Sequence, residues 1–498
     1  MDSRMCGVVA FAAIVSSVFL RRRSMSDLSP PRRSTRKSLS FALNEKREEQ
    51  EREHEQVQEQ DDAEEEWEDN FEVGDQLGAT RRHVSTPFTS SQRADTPPAF
   101  EFDIIRHSSA ELATMFMESA TTPSASGGKK KKTLRASPSM DRLQDSALRR
   151  PVLVSDGSVS LPPSCRQYYA ALQSYDLDPR DYSDPELMEM VLAIFYSYDV
   201  PAKMGIPLDN LRTFIQVVHD HYKPPNDVIF HNFQHVYNVL HIAFHMLRSG
   251  LDQCLTIFEV FALFVAALCH DIEHPGVNNA FMINSRSELA SLYSNDAVLE
   301  RHHSAVTRKI LRAGGESMPC HDIMCSLPED FKLRFKDLVS AAILATDMTH
   351  HVDKVESVQA RAKRGMPFDA GNEGDRRELL CVLLHTADIG AQTQDTAVAI
   401  KWGRTVSNEF SAQYHKEMQL GLPLSPFMAG LDEEVKFALL QTGFVSNIIL
   451  PLWTAVADCF PALKVRVAML HTNNHVYQDI VRRGVAAEEG RSSGGGEE

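Results

Sequence analysis

Residues 230–245 read FHNFQHVYNVLHIAFH and place His231, His235, His241 and His245 in one short stretch. Imidazoles at that density can pack, titrate near neutrality or hold a metal. His231 and His235 are four apart, a spacing that puts both on one face of a helix. Farther along, three apolar runs end in potential ligands. AALCHD delivers His270 and Asp271, LATD delivers Thr346 and Asp347, and LLHTAD delivers His385 and Asp388. A carboxylate in such a run is costly to bury unless it is paired or metal-bound. The combined set offers imidazole and carboxylate but no thiolate. That mix suits Zn2+ or another first-row metal beside a harder ion such as Mg2+ or Mn2+. Neither a four-cysteine spacing nor a paired cysteine–histidine spacing is present, which argues against a structural zinc finger and for an open, catalytic centre.

Helices must carry these residues. LMEMVLAIFYSYDV and LRTFIQVVHDHY show apolar residues at helical spacing. LTIFEVFALFVAALCHDIEHPG is apolar on nearly every side until its polar end, as a buried helix requires, and HPG stops it. KDLVSAAILATDMTHHVDKVESVQARA and RRELLCVLLHTADIGAQ repeat the design. No alternating strand pattern and no strand–helix rhythm is present, so residues 166–482 are expected to form one all-α domain. EEGRSSGGGEE and the residues just before it, 483–498, are expected to be a flexible tail.

The flanking sequence has a different texture. Cys6–Leu20 is apolar and is followed at once by Arg21, Arg22 and Arg23. A cleavable signal carries its basic cluster before the apolar run, so residues 1–23 are a candidate membrane anchor that would leave the bulk of the chain cytosolic. Residues 24–165 are acidic or rich in Ser, Thr and Pro, and Glu45–Asp69 is almost wholly charged or Gln. Such a segment cannot bury enough apolar area to offset ordering entropy and is expected to be a disordered, regulatory region. RRST (Arg32–Thr35) and RKSLS (Arg36–Ser40) resemble basic-directed kinase sites, and Lys129–Lys132 form a further basic cluster. The net charge of −16 over 498 residues argues against a nucleic-acid surface. The eight cysteines form no CxxC pair and are expected to be free thiols in a reducing compartment.

The order of these motifs is similar to that of a known family. H-x3-H, then HD after a buried helix, then a distant Asp after another resembles the HD metal-dependent phosphohydrolases. FHNFQHVYNV, HDIEHPGVNNAFMINSRSELASLYSNDAVLERHHSAV, ATDM, TADIG, QTGFVSNIILPLW and NNHVYQDI resemble, in order, the motifs of the class I 3′,5′-cyclic nucleotide phosphodiesterases. The resemblance spans about Arg166 to Ile480. It implies an all-α catalytic domain that converts cAMP, cGMP or both to the 5′-monophosphate. It also implies that His235, His270, Asp271 and Asp388 hold a first ion, usually Zn2+, and that Asp271 bridges to a second, usually Mg2+. His274, Glu300 and Thr346 would hold the water ligands of that second ion. His231 would be the general acid. Gln441 would bond the purine, Phe444 and Val406 would clamp it, and Asp388 is counted with them at the substrate.

The residue types fit that chemistry. Two cations lower the pKa of a water that attacks phosphorus, and an imidazolium protonates the departing 3′-oxygen. No GxSxG elbow competes as a nucleophile. His241 and His245 are expected to pack or support, His302 and His303 to be hydrogen-bonded core, and Trp402 and Trp453 to pack. Three departures stand out. Phe230 replaces the usual Tyr, Val239 follows Asn238 where the family often has Asp-Val, and Ala391 stands where several cAMP-selective members carry Asn. Gln441 alone does not choose between adenine and guanine, since an amide can present either face. Two alternatives stay open: an HD-type hydrolase of another nucleotide or phosphate ester, and a non-catalytic cyclic nucleotide-binding protein. The oligomeric state is not legible.

Overall fold

The computed structural model describes residues 161–314, 319–365 and 367–493. The expected anchor at 1–23, the acidic segment, the kinase-site strings and Lys129–Lys132 lie outside the described residues. Within them every regular element is helical. The α-helices are α1 (Asp184–Ser197), α2 (Val200–Met204), α3 (Leu208–Asp220), α4 (Phe233–Arg248), α5 (Ile257–Cys269), α6 (Asn279–Asn284), α7 (Glu288–Leu292) and α8 (Val298–Ala313). They continue with α9 (Glu329–Leu344), α10 (His351–Arg364), α11 (Glu373–Asp388), α12 (Thr396–Leu420), α13 (Glu434–Phe444), α14 (Leu450–Cys459) and α15 (Lys464–Ser493).

Helix α5 is the centre of the domain, and every one of its residues is buried. Its start is sharply defined. Glu259 accepts the Thr256 backbone N–H at 2.7 Å, and Thr256 Oγ1 accepts the Glu259 N–H in return, which satisfies two donors the first turn would otherwise orphan. Glu259 also receives Arg376 Nε of α11 at 2.7 Å, so the cap doubles as a buried ion pair. Helices α4, α9 and α11 pack around α5, and their apolar faces supply Leu240, Phe335 and Leu383 to one continuous core.

Helices α13 and α14 are joined by a π-helical turn, Val445–Ile449. Among the described residues this run, Glu434–Cys459, is long and apolar enough to cross a membrane. Phe437, Val445, Ile449, Leu452 and Trp453 nevertheless pack into the core. Helix α15 continues to Ser493, so the expected boundary at 482 falls inside it. The helix packs on α13, and a Cβ at Gly484 would press on a methyl of Val435 there. The described cysteines are all free thiols.

Candidate functional site

Helix α4 begins at Phe233 because Asn232 caps it. Asn232 is extended and its side chain accepts the Gln234 N–H. His235 is therefore on the first turn, but His231 precedes the helix. The expectation that the two share a helical face does not hold, since the cap intervenes between them. His231 is placed instead by α12. Its Nδ1 hydrogen-bonds Glu409, whose other oxygen accepts the backbone N–H groups of Phe230 and His231 at 2.7 and 3.2 Å. The imidazole stacks on His274 with ring centroids 3.9 Å apart.

His235, His270, Asp271 and Asp388 converge from α4, the ends of α5 and α11, and the turn after α5. One potential ligand atom from each lies within 4.8 Å of the others. His235 Nε2 is 3.3 Å from Asp271 Oδ2 and 3.2 Å from Asp388 Oδ1. His270 Nε2 is 3.2 and 3.3 Å from the same two atoms. Despite these distances, both Nε2 atoms are buried without a hydrogen bond. Two orphaned imidazole nitrogens and two carboxylate oxygens around one point fit a divalent cation, and the donor set suits Zn2+. His270 Nδ1 faces the Ala267 carbonyl at 3.0 Å, which orients the ring so that Nε2 is the ligating atom.

The electrostatics agree. Burial would raise the Asp271 and Asp388 carboxyls, but the His270 charge and the His235 and His270 contacts outweigh it and hold both well below the usual range. Burial also pulls His231 down, yet the Glu409 charge and hydrogen bond, helped by Asp271 and Asp388, raise it to about 9. Glu409 itself is raised by burial but brought down on balance to about 2, chiefly by His231. Burial, with the Asp347 charge, pushes Glu300 up to about 7.

Asp271 and Asp388 line one cavity, and the buried His235 and His270 adjoin them. His231, His274, Glu300 and Thr346 line it near the ligands, and Val406, Gln441 and Phe444 line it too. Every expected residue except His235 and His270 thus lines that cavity, and those two contact its Asp271 and Asp388. Gln441 is 2% exposed and its Oε1 has no hydrogen-bond partner. His241 and His245 turn away, both toward the Leu172 carbonyl at 3.3 and 3.0 Å, as packing residues would. His303 bonds the Ile272 carbonyl at 2.6 Å as core, while its Nε2 lies 3.8 Å from Asp271. Trp402, expected only to pack, also lines the cavity.

Several site residues had no sequence signal. Glu409 is one. Asn279 is another, donating to Glu300 at 2.9 Å. Gln413 is a third, a cavity residue that holds the Asn278 backbone N–H at 2.9 Å. Glu409 and Gln413 sit in a polar stretch that reads as a solvated face, and Asn279 lies in a motif whose resemblance assigns it no role.

Comparison with known proteins gives a consistent result. Residues 230–470 match the family model described as 3′5′-cyclic nucleotide phosphodiesterase. The chain is 30% identical over 308 residues to the 3′,5′-cyclic-nucleotide phosphodiesterase regA of Dictyostelium discoideum, covering 62% of this chain and 38% of that protein. It is 29% identical to the high affinity cGMP-specific 3′,5′-cyclic phosphodiesterase 9A of Mus musculus, covering 59% of this chain and 53% of that protein. The chain therefore spans about half or less of these curated relatives. Its fold matches the crystal structure of the phosphodiesterase domain of the RhoPDE fusion protein from the choanoflagellate Salpingoeca rosetta. The TM-score is 0.60 at 31% identity, over 64% of this chain and 99% of that one.

Proposed function

Because the chain belongs to the 3′5′-cyclic nucleotide phosphodiesterase family, we propose that it hydrolyses cAMP, cGMP or both to the 5′-monophosphates and so ends their signals. The observation that carries this reading is that Asp271 and Asp388, two of four clustered metal-type ligands, line the same cavity as three base-type residues. A phosphate ester without a purine would have no use for Gln441, Val406 and Phe444.

His235, His270, Asp271 and Asp388 would hold Zn2+. Asp271 would also reach a second ion, Mg2+ or Mn2+, with His274, Glu300 and Thr346 lining the cavity on its side. When bound, the two cations supply Lewis acidity that activates a water and offsets the phosphate charge. The residues of the chain do the rest. Val406 and Phe444 hold the base between them, and Gln441 bonds its edge. Glu409 keeps the His231 Nδ1 occupied, which leaves Nε2 to carry the mobile proton. As the bond from phosphorus to the 3′-oxygen breaks, His231 donates that proton to the oxygen, which would otherwise leave as a poor alkoxide. Burial of the ligand end under Phe230 and Trp402, whose rings lie 4.5 and 6.3 Å from His235, limits access of bulk water.

The test uses the purified full chain with cAMP and with cGMP, with and without Mg2+ and after chelation. Turnover to the 5′-nucleotide that chelation abolishes supports the reading. Binding without product would favour a non-catalytic nucleotide-binding protein. Neither binding nor turnover would favour an HD-type hydrolase of another phosphate ester.

A further inference from the structure

Glu417 of α12 is 2% exposed, and three donors converge on its carboxylate. The Ser425 backbone N–H is at 2.7 Å, Ser425 Oγ at 2.9 Å and Gln413 Nε2 at 2.7 Å. Ser425 lies in the segment between α12 and α13. That segment leaves α12 through Gly421 (φ +64) and turns again at Gly430 (φ +66), positions where a left-handed backbone favours glycine. Pro423, Leu424 and Pro426 are exposed around Ser425, whose backbone is extended (φ −95, ψ 92). Beyond it, Phe427, Met428 and Leu431 pack with Leu440 against Phe410 and Tyr414.

The contacts continue inward. Gln413 also donates to Asn278 Oδ1 at 3.0 Å and accepts the Asn278 N–H. Asn278 caps α6, and the next residue, Asn279, donates to Glu300. A line of contacts thus runs from the half-buried Ser425, through the peptide that joins Asn278 to Asn279, to the cavity, where Gln413, Phe410 and Glu300 are all lining residues.

We propose that Ser425 is a modification site, phosphorylated by a proline-directed protein kinase with ATP as donor, and that the phosphate opens the Glu417 latch. Pro423-Leu424-Ser425-Pro426 has an extended backbone at Ser425, which the following proline favours, and exposed residues on both sides, so the kinase takes the hydroxyl when it leaves Glu417. In the transfer, Ser425 Oγ bonds to the γ-phosphorus and the bond to the β–γ bridging oxygen breaks. ADP leaves, and the hydroxyl proton passes to the base of the kinase. The product has lost its donor and carries a charge of about −1.5 to −2. It would sit against a buried carboxylate whose hydrogen bonds all come from neutral groups. Like charges at that separation repel strongly in a low-dielectric surrounding. The segment swings out on its two glycines, and Gln413 loses the partner that aims it at Asn278.

The full chain is treated with a proline-directed kinase and ATP, and phosphopeptides are mapped by mass spectrometry. Steady-state kinetics and the rate of chymotryptic cleavage between residues 421 and 431 are then measured. Phosphate is expected on Ser425, with KM raised roughly tenfold, kcat changed by less than about threefold and faster cleavage of the segment. In Glu417→Gln the phosphate still adds, but the rise in KM shrinks to about twofold, because the repelling charge is gone. Ser425→Asp should be cleaved faster than Ser425→Ala. The proposal is overturned if Ser425 stays unmodified while other Ser-Pro or Thr-Pro sites react. It is equally overturned if full modification leaves both KM and cleavage unchanged. Only the kinetic part rests on the proposed hydrolysis. Mapping and cleavage read out even in a chain that turns over no nucleotide, so the two failures are distinguishable.

Discussion

The carboxylate of Glu409 binds the His231 imidazole and the main chain that carries it at the same time. Ring orientation and backbone position are therefore fixed by one side chain, across 178 residues of sequence. Under the proposed mechanism, that arrangement makes Glu409 the positioning residue for the proton donor.

Glu409→Gln should retain the shape and lose the charge. A fall in kcat of roughly ten- to a hundredfold is expected, as for other groups that orient a catalytic ring. The pH profile is the sharper readout. His231 acts in its protonated form, so the rate declines as pH rises through its pKa. Glu409 holds that pKa up against burial. Removing the charge lowers it, and the alkaline limb of the kcat profile should move to lower pH. An alkaline limb that does not move refutes the assignment.

His231→Ala should keep its metal and lose about a hundred- to ten-thousandfold in rate, the usual worth of a general acid. Asp388→Ala should lose bound metal as well as activity, because a carboxylate oxygen within 3.3 Å of both orphaned imidazoles disappears. Elemental analysis of the two purified variants separates the roles. Unaltered metal content in the Asp388 variant would remove it from the ligand set.

The ligand cluster was legible because burial leaves a trace in composition. His270, Asp271 and Asp388 end helices too apolar to face water, so their polarity demanded a reason. The all-α fold was legible for the same reason, from the length of the apolar runs. The link between His231 and His235 was misjudged, because a spacing of four cannot reveal that Asn232 caps the helix between them. Glu409 and Glu417 were not legible at all. Both sit in a helix of mixed polarity, where a carboxylate ordinarily faces solvent, and only tertiary packing shows that each is buried.

Phe444→Ala should raise KM for both nucleotides by about tenfold or more, with metal content unchanged, since one side of the base clamp is lost. Gln441→Glu offers acceptors only, whereas guanine presents N–H donors on the edge where adenine presents an acceptor nitrogen. Its ratio of kcat/KM should therefore shift toward cGMP. A ratio equal to that of the unaltered chain would show that Gln441 does not touch the base.

Arg376→Met should destabilise the domain by about 3 kcal/mol or more, the usual consequence of stranding one member of a buried ion pair. Glu259 would keep its bonds to Thr256 but lose the cation that the described residues pair with it. The denaturant midpoint measures this, and a shift below about 1 kcal/mol would mean the cap alone satisfies Glu259.

The π-helical turn at Val445–Ile449 divides one long rod into two halves of different angular phase. An added residue in a turn rotates the remainder of the rod by about 100°. Gln441 and Phe444 can thus face the cavity while Trp453 faces the interior. Insertions or deletions confined to that turn would swivel the half that carries Gln441 and Phe444, and would pull Phe437 and Ala438 out of the core with it. A change of nucleotide preference through this turn is therefore tied to a matching loss of thermal tolerance in descendants of this chain.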